Sequence, residues 1–247
     1  MVRDPVCLTD LNPRNAGAVA EHQGRSYYFC SSKCQQKFIQ QPEIYLHNAS
    51  SMRLTVGVMG SASNESAPDI KRLAYALGEE IAKRGYVLIT GACPGLPYQC
   101  AKGAMSQGGL SIGISPALSL DEHLHKYHSP SDSFDLLIYT GSGLMGREVT
   151  NIRSSDMVVI IGGRSGTLGE FAIAYDEGKL IGVLQGSGGI SDKIPDIIDS
   201  FGDKDNGAHM IYDSDPHQLM TKLSKTYTEL HYRKPSCFCN DSIEAAG

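Results

Sequence analysis

From Arg147 to Glu170 the chain reads REVTNIRSSDMVVIIGGRSGTLGE, joining charged, apolar and glycine-rich blocks in an order suited to chemistry on an anion. The apolar block 157–161 predicts a buried strand, and Gly162-Gly163-Arg164-Ser165-Gly166-Thr167 then opens a helix. A glycine loop in that place leaves backbone N–H groups unpaired at the positive end of the helix, where a phosphate or carboxylate is favoured. Thr167 can add a hydroxyl donor, and Glu170 puts a carboxylate beside the bound group. A carboxylate in the first helical turn is favoured in its ionised form by the dipole, so Glu170 is expected to act as a base or electrostatic partner and to be a poor acid. Arg147 can clamp a phosphate or hold that carboxylate bidentately. The spacing Thr167-x-x-Glu170 is equally that of a capping box, in which both side chains only satisfy the first N–H groups of the helix.

These residues need a scaffold. Strand patterns at 54–59, 86–90, 110–114, 135–139, 157–161, 180–184 and 209–212 alternate with helical periods at 69–84, 97–107, 143–155, 167–178, 191–200 and 216–227. Gly85, Gly108 and Gly178 fall where helices stop. The alternation predicts an α/β fold, a Rossmann-like doubly wound parallel sheet whose ligand loops gather at the carboxyl ends of the strands. Three glycine-bearing turns follow strands there, Gly60-Ser61, Gly91 to Gly95, and Gly162 to Gly166, and all are expected to line one phosphate or nucleotide pocket. The first reads GSASNES and lacks G-x-G-x-x-G, so a mononucleotide or sugar phosphate fits better than a nicotinamide or flavin dinucleotide. Nearby, Cys93 reads as a small buried thiol, and His123, His125 and His128 as a solvated loop or lid. Arg153 reads as a helix-end residue near the C-terminal carbonyls, and Asp156 as a turn residue.

A net charge of -5 with scattered basic residues argues against a nucleic-acid partner. No apolar run reaches membrane-span length, and the start MVRDPVCLTD lacks a signal-peptide core, so a cytoplasmic protein is expected. There the seven cysteines should stay reduced and serve metal binding or burial.

Residues 53–228 resemble the Lonely Guy (LOG) family, often labelled "lysine decarboxylase-like", with its relatives the molybdenum-cofactor carrier proteins. Its PGGxGTxxE signature is matched by Gly162 to Glu170, and its upstream arginine by Arg147, nine residues before Asp156. The resemblance implies a Rossmann-like homodimer that hydrolyses the N-glycosidic bond of a nucleoside 5′-monophosphate without a cofactor, with Arg147 and Glu170 as the catalytic pair. The alternative it leaves open is a carrier that binds a nucleotide or molybdenum cofactor without cleaving it, with the N-terminal module reporting metal. Two positions depart from the pattern: the second signature glycine is Arg164, and the Lys after the catalytic Arg in cytokinin-activating members is Glu148. Nothing in the residues supports a pyridoxal phosphate site.

Residues 1–47 carry no βα repeat, and His47 to Ser51 read as a linker. Asp4-Pro5-Val6-Cys7, then Tyr27 to Cys30, Cys34, Phe38, Pro42 and Tyr45 resemble a YHS domain. So small a module buries little apolar surface, and a metal clip would stabilise it. Cys30 and Cys34 are expected on one helix face, with Cys7 closing from a preceding strand; three thiolates suit zinc or copper(I). A fourth ligand could come from His47 or from Cys237 and Cys239 in the tail 229–247, for which an exposed end with no partner is the competing reading.

Overall fold

The computed structural model describes residues 2–22, 25–42, 45, 53–201 and 206–231. Arg53–Leu223 forms one compact unit, and the N-terminal residues group with those from Ser224 onward in another. His47, the linker that follows it, Cys237 and Cys239 lie outside the described residues.

The N-terminal unit begins with two short antiparallel pairs, β1 (Val2–Arg3) with β2 (Asp10–Leu11) and β3 (Ala18–His22) with β4 (Arg25–Phe29). Helix α1 (Ser32–Gln40) follows, started by Ser31, whose hydroxyl accepts from the Cys34 N–H at 3.3 Å. Its core is small: Phe29, Cys34 and Phe38 are buried, with the Tyr27 and Phe29 rings 5.0 and 5.2 Å from that of Phe38.

The larger unit holds a seven-stranded parallel sheet in the order β11-β10-β9-β5-β6-β7-β8. Its strands are β5 (Thr55–Gly60), β6 (Val87–Thr90), β7 (Ser111–Ser115), β8 (Leu136–Tyr139), β9 (Met157–Ile161), β10 (Leu180–Leu184) and β11 (His209–Asp213). All seven predicted strands are present. The connecting helices are α2 (Pro68–Lys83), α3 (Leu96–Ser106), α4 (Gly143–Arg153), α5 (Ser165–Asp176), α6 (Ile194–Asp199) and α7 (Pro216–Thr226). The helix predicted at 191–200 divides into a 3₁₀ turn, Ser191–Lys193, and the short α6 with Pro195 in its first turn. The order reverses between β5 and β9, so right-handed crossovers place helices on both faces. That explains why β9 and β10 are unbroken apolar runs, buried at every residue. Among the described residues no helix is long and apolar enough to cross a membrane.

Close packing of α2 on α3 depends on small residues. A side chain at Gly78 or Gly103 would strike the backbone of the other helix, and the buried Cys100 thiol donates to the Ala74 carbonyl at 2.9 Å. Asp156 turns the chain into β9 and clasps β5, accepting from the Thr55 N–H at 2.7 Å.

Candidate functional site

The reversal of strand order leaves a crevice at the carboxyl ends of β5 and β9, where open α/β sheets bind ligands. A cavity of about 550 Å³ lies there. Gly60 at the end of β5 with Ser61 after it, Gly91 and Cys93 after β6, and Arg164 to Thr167 line it, together with Arg147, Glu148 and Glu170. Gly162 and Gly163 line a smaller neighbouring cavity of about 250 Å³, which shares Ser61 and Arg164 with the first. Three predicted loops thus meet at one edge, although individual residues take different work from that expected.

Gly162 does not offer its N–H outward. It donates to the Ser187 hydroxyl at 2.9 Å and to that of Ser191 at 3.2 Å, while the Gly162 and Gly163 carbonyls accept from Ser191 and Ile190. Both glycines have positive φ, +58° and +97°, and a Cβ at Gly163 would overlap Thr167. Arg164 has φ -131°, open to any residue, so arginine replaces the signature glycine without strain. Among the described residues no side chain caps α5, and its uncapped first turn at Ser165, Gly166 and Thr167 lines the cavity, the kind of helix end that favours an anion.

Gly95 lines neither cavity. Its φ of +82° and close approach to Ser61 and Ala62 let the β6–α3 turn pack on the β5 loop, where the Leu96 N–H donates to the Ser61 carbonyl at 2.8 Å.

The capping-box reading fails on register. Helix α5 starts at Ser165 behind Arg164, so Thr167 is its third residue and Glu170 its sixth, beyond the first turn. Glu170 is buried, and burial outweighs any help from the dipole: its carboxyl is pushed up to about 7, with Arg147 opposing and Glu148 reinforcing the rise. The sequence led to the expectation of a poor acid; burial instead brings the carboxyl into a range where it can give as well as take a proton.

Arg147 does not stand free to clamp a phosphate. Its guanidinium donates to the Gly91 carbonyl and, at 3.3 Å, to that of Ile114, tying α4 to β6 and β7. Its buried Nε has no partner among the described residues. Gly91 is needed because a Cβ there would overlap that guanidinium. Gly91→Ala is expected to lower stability by about 1–3 kcal/mol through overpacking. Urea unfolding measures this, and an unchanged midpoint would show that Arg147 has room to move. Cys93 is half-buried beside Arg147, its thiol raised by burial while Arg147 opposes.

Glu148 is the residue that sequence reasoning treated only as a departure. It is buried at the cavity wall, with its carboxylate against the first two turns of α5, 3.3 Å from where a Gly169 Cβ would stand. Burial raises its carboxyl, and Arg147 opposes. Its place, one residue after Arg147 in the same cavity, was the available signal.

Other predicted groups lie elsewhere. His123 is fully buried instead of forming a lid, bridging the Ser115 hydroxyl and the Pro130 carbonyl at 2.9 Å each, whereas His125 is exposed and pairs with Asp121 at 3.0 Å. Arg153 pairs with Glu177 at 2.7 Å rather than with helix-end carbonyls.

In the N-terminal unit Cys7, Cys30, Cys34 and Asp4 bring their ligand atoms within 4.8 Å of one another. Cys30 Sγ lies 3.5 Å from that of Cys7 and 3.6 Å from that of Cys34. Cys30 precedes α1 instead of sharing its face, and Cys7 sits in the turn after β1 instead of on a strand. Asp4, not foreseen as a ligand, is fully buried and accepts from the N–H groups of Val6 at 2.8 Å, Cys7 at 3.4 Å and Cys30 at 2.8 Å.

A doubly wound sheet with its cavity at the switch point defines a Rossmann-like domain, and it is carried with a small module that clusters three cysteines and an aspartate. The chain belongs to the SLOG cluster4 family, whose model matches residues 53–220, and residues 2–49 match the YHS domain. It is 38% identical over 132 residues to an uncharacterized protein of Archaeoglobus fulgidus, covering 53% of this chain and 80% of the other. A cytokinin riboside 5′-monophosphate phosphoribohydrolase of Mycobacterium marinum is 28% identical over 155 residues, 61% of this chain and 73% of that one. The structure of the molybdenum cofactor binding protein of Rippkaea orientalis is similar at 30% identity and a TM-score of 0.57, over 71% of this chain and 98% of the other. The YHS residues resemble a copper-transporting P-type ATPase of Rhizobium leguminosarum bv. viciae, 44% identical over 46 residues; these are 19% of this chain and only 6% of the ATPase.

Proposed function

We propose that the SLOG domain hydrolyses the N-glycosidic bond of a nucleoside 5′-monophosphate, releasing free base and ribose 5-phosphate. The observation that carries this reading is Glu170: a buried carboxyl raised to about 7 beside Arg147, in a cavity that also holds the uncapped start of α5. Cleavage of a ribosyl bond passes through an oxocarbenium-like state and needs a proton for the departing base, and a carboxyl titrating near neutrality serves such a transfer. Arg164 and the first turn of α5 hold the phosphate, while Arg147 sets the electrostatics of Glu170. Incubation with a panel of nucleoside monophosphates, followed by chromatography, is expected to show base and ribose 5-phosphate in equal amounts.

A second reading, a carrier that binds a nucleotide or molybdenum cofactor without cleaving it, is favoured by the 30% identity to the Rippkaea orientalis protein. Saturable binding with no release of base across the panel would select it.

The YHS domain is proposed to hold zinc or copper(I). The donor set fits: three thiols converge on one point, and softness of sulfur suits either ion. Cys7, Cys30 and Cys34 would be the ligands, with the Asp4 carboxylate alongside. A homodimer is proposed through the edge strand β8, where Leu136 and Ile138 are 53% and 42% exposed and the edge backbone is unpaired in the sheet.

A further inference from the structure

The cavity contains a second carboxyl that the proposed reaction has not yet used. Glu148 is 6% exposed and lines the same wall as Glu170, and neither carboxyl accepts a hydrogen bond from any described residue. Their oxygens open on the cavity, so their acceptor positions are filled by whatever occupies it. The two groups differ in position. Glu148 reaches across from α4 to the first two turns of α5, where Gly166 and Gly169 leave it room, and the neighbouring Arg147 favours its anion. Glu170 stands one turn deeper, on a segment whose neighbours are the buried Phe171 and Thr167. The other charged or titratable groups at this cavity are Arg147, Cys93 and Arg164.

We propose that Glu148 is a second catalytic residue of this site, the ionised carboxylate that takes a proton from the attacking water, while Glu170 in its acid form protonates the leaving base. The inference rests on the phosphoribohydrolase reading. In the step, the C1′–N bond breaks and its electron pair passes to the base, where a ring nitrogen takes the proton from Glu170. The water oxygen bonds to C1′ and its proton goes to Glu148. Return of one proton from Glu148 to Glu170 through solvent restores the site, so nucleotide and water give base and ribose 5-phosphate with no other reactant. The Glu148 charge adds to the burial that raises Glu170, which favours the proton on Glu170 while Glu148 is ionised.

Two leaving groups separate the roles. A purine nucleotide needs a proton on its base, whereas nicotinamide mononucleotide carries a quaternised ring nitrogen and releases a neutral base without one. Glu148→Gln is expected to slow both substrates by on the order of 10²–10⁴-fold, with partial recovery on adding formate as an external base. Glu170→Gln is expected to slow the purine nucleotide similarly, yet to retain the nicotinamide nucleotide within about tenfold of the parent. Thermal unfolding and binding of purine nucleotide by each variant establish that both fold and load. Parental rates in Glu148→Gln, or sparing of the nicotinamide nucleotide by Glu148→Gln rather than Glu170→Gln, overturn the assignment while leaving the hydrolase reading intact. If the parent releases base from neither nucleotide, the hydrolase reading falls, and this inference with it.

Discussion

Glu170→Gln is expected to lower kcat/KM for purine nucleotide cleavage by about 10²–10⁴-fold, and at the same time to make the protein more stable at neutral to alkaline pH. Both effects have one cause. The folded protein holds this proton with a pKa of about 7 against an ordinary value of 4.5, because the burial that makes Glu170 useful also opposes its charge. The folded state therefore binds the proton more tightly than the unfolded chain, and the sign follows. The contribution of Glu170 to stability is greatest below 4.5, declines as the pH rises, and levels off above 7. The gap corresponds to about 3 kcal/mol. Glutamine has no charge to desolvate, so the variant's advantage should approach that figure above about pH 7 and vanish below about pH 4.5. Urea unfolding across this range measures it. A Glu170→Gln variant whose advantage over the parent does not grow through the window would show that Glu170 is solvated in solution. Parental kcat/KM should likewise decline roughly tenfold per pH unit once Glu170 loses its proton.

The other large effect is expected at Cys30. Its sulfur stands between those of Cys7 and Cys34, and the Asp4 carboxylate anchors its backbone N–H. Cys30→Ser removes the central soft ligand, and the two remaining thiols cannot close a three-sulfur site. Metal per chain, measured by elemental analysis after dialysis against a competing chelator, is expected to drop from one equivalent to near zero. The affinity loss should exceed the roughly 10–100-fold typical of removing an outer-shell partner. Full metal retention by Cys30→Ser would mean that the metal is held elsewhere. Since the module's core is little more than Phe29, Cys34 and Phe38, the same variant should also resist unfolding less when metal is present.

The sheet was legible because a parallel strand covered on both faces has to be apolar throughout, and 157–161 and 180–184 are. Helix ends were legible where glycine marks them, as at Gly85, Gly108 and Gly178, with φ of +73°, +65° and +68°. The site was legible as a set of loops and not as a set of roles. Gly91, Gly95 and Gly162 looked alike as cradle residues, yet one makes room for a guanidinium, one lets two loops touch, and one has its N–H satisfied by two serines. Such differences depend on neighbours 25 to 56 residues away, which no local pattern encodes. His123 misled for a different reason: its local sequence is polar and its partners Ser115 and Pro130 are near in the chain, but the fold carries both ring nitrogens and those partners into the interior.

The sequence by itself determined the alternation of strands and helices along the chain, the family-like loop from Gly162 to Glu170 and the three thiols of the N-terminal module, because periodicity, glycine placement and cysteine spacing are local properties. Only the tertiary structure decided what charge those residues carry and what they face. Helix α5 starts at Ser165 and puts Glu170 beyond its first turn, burial then raises the carboxyl, and the fold of α4 sets Glu148 beside it. Proton affinity depends on solvent access and on charges brought together from separate elements, and both come into being only when the chain is packed.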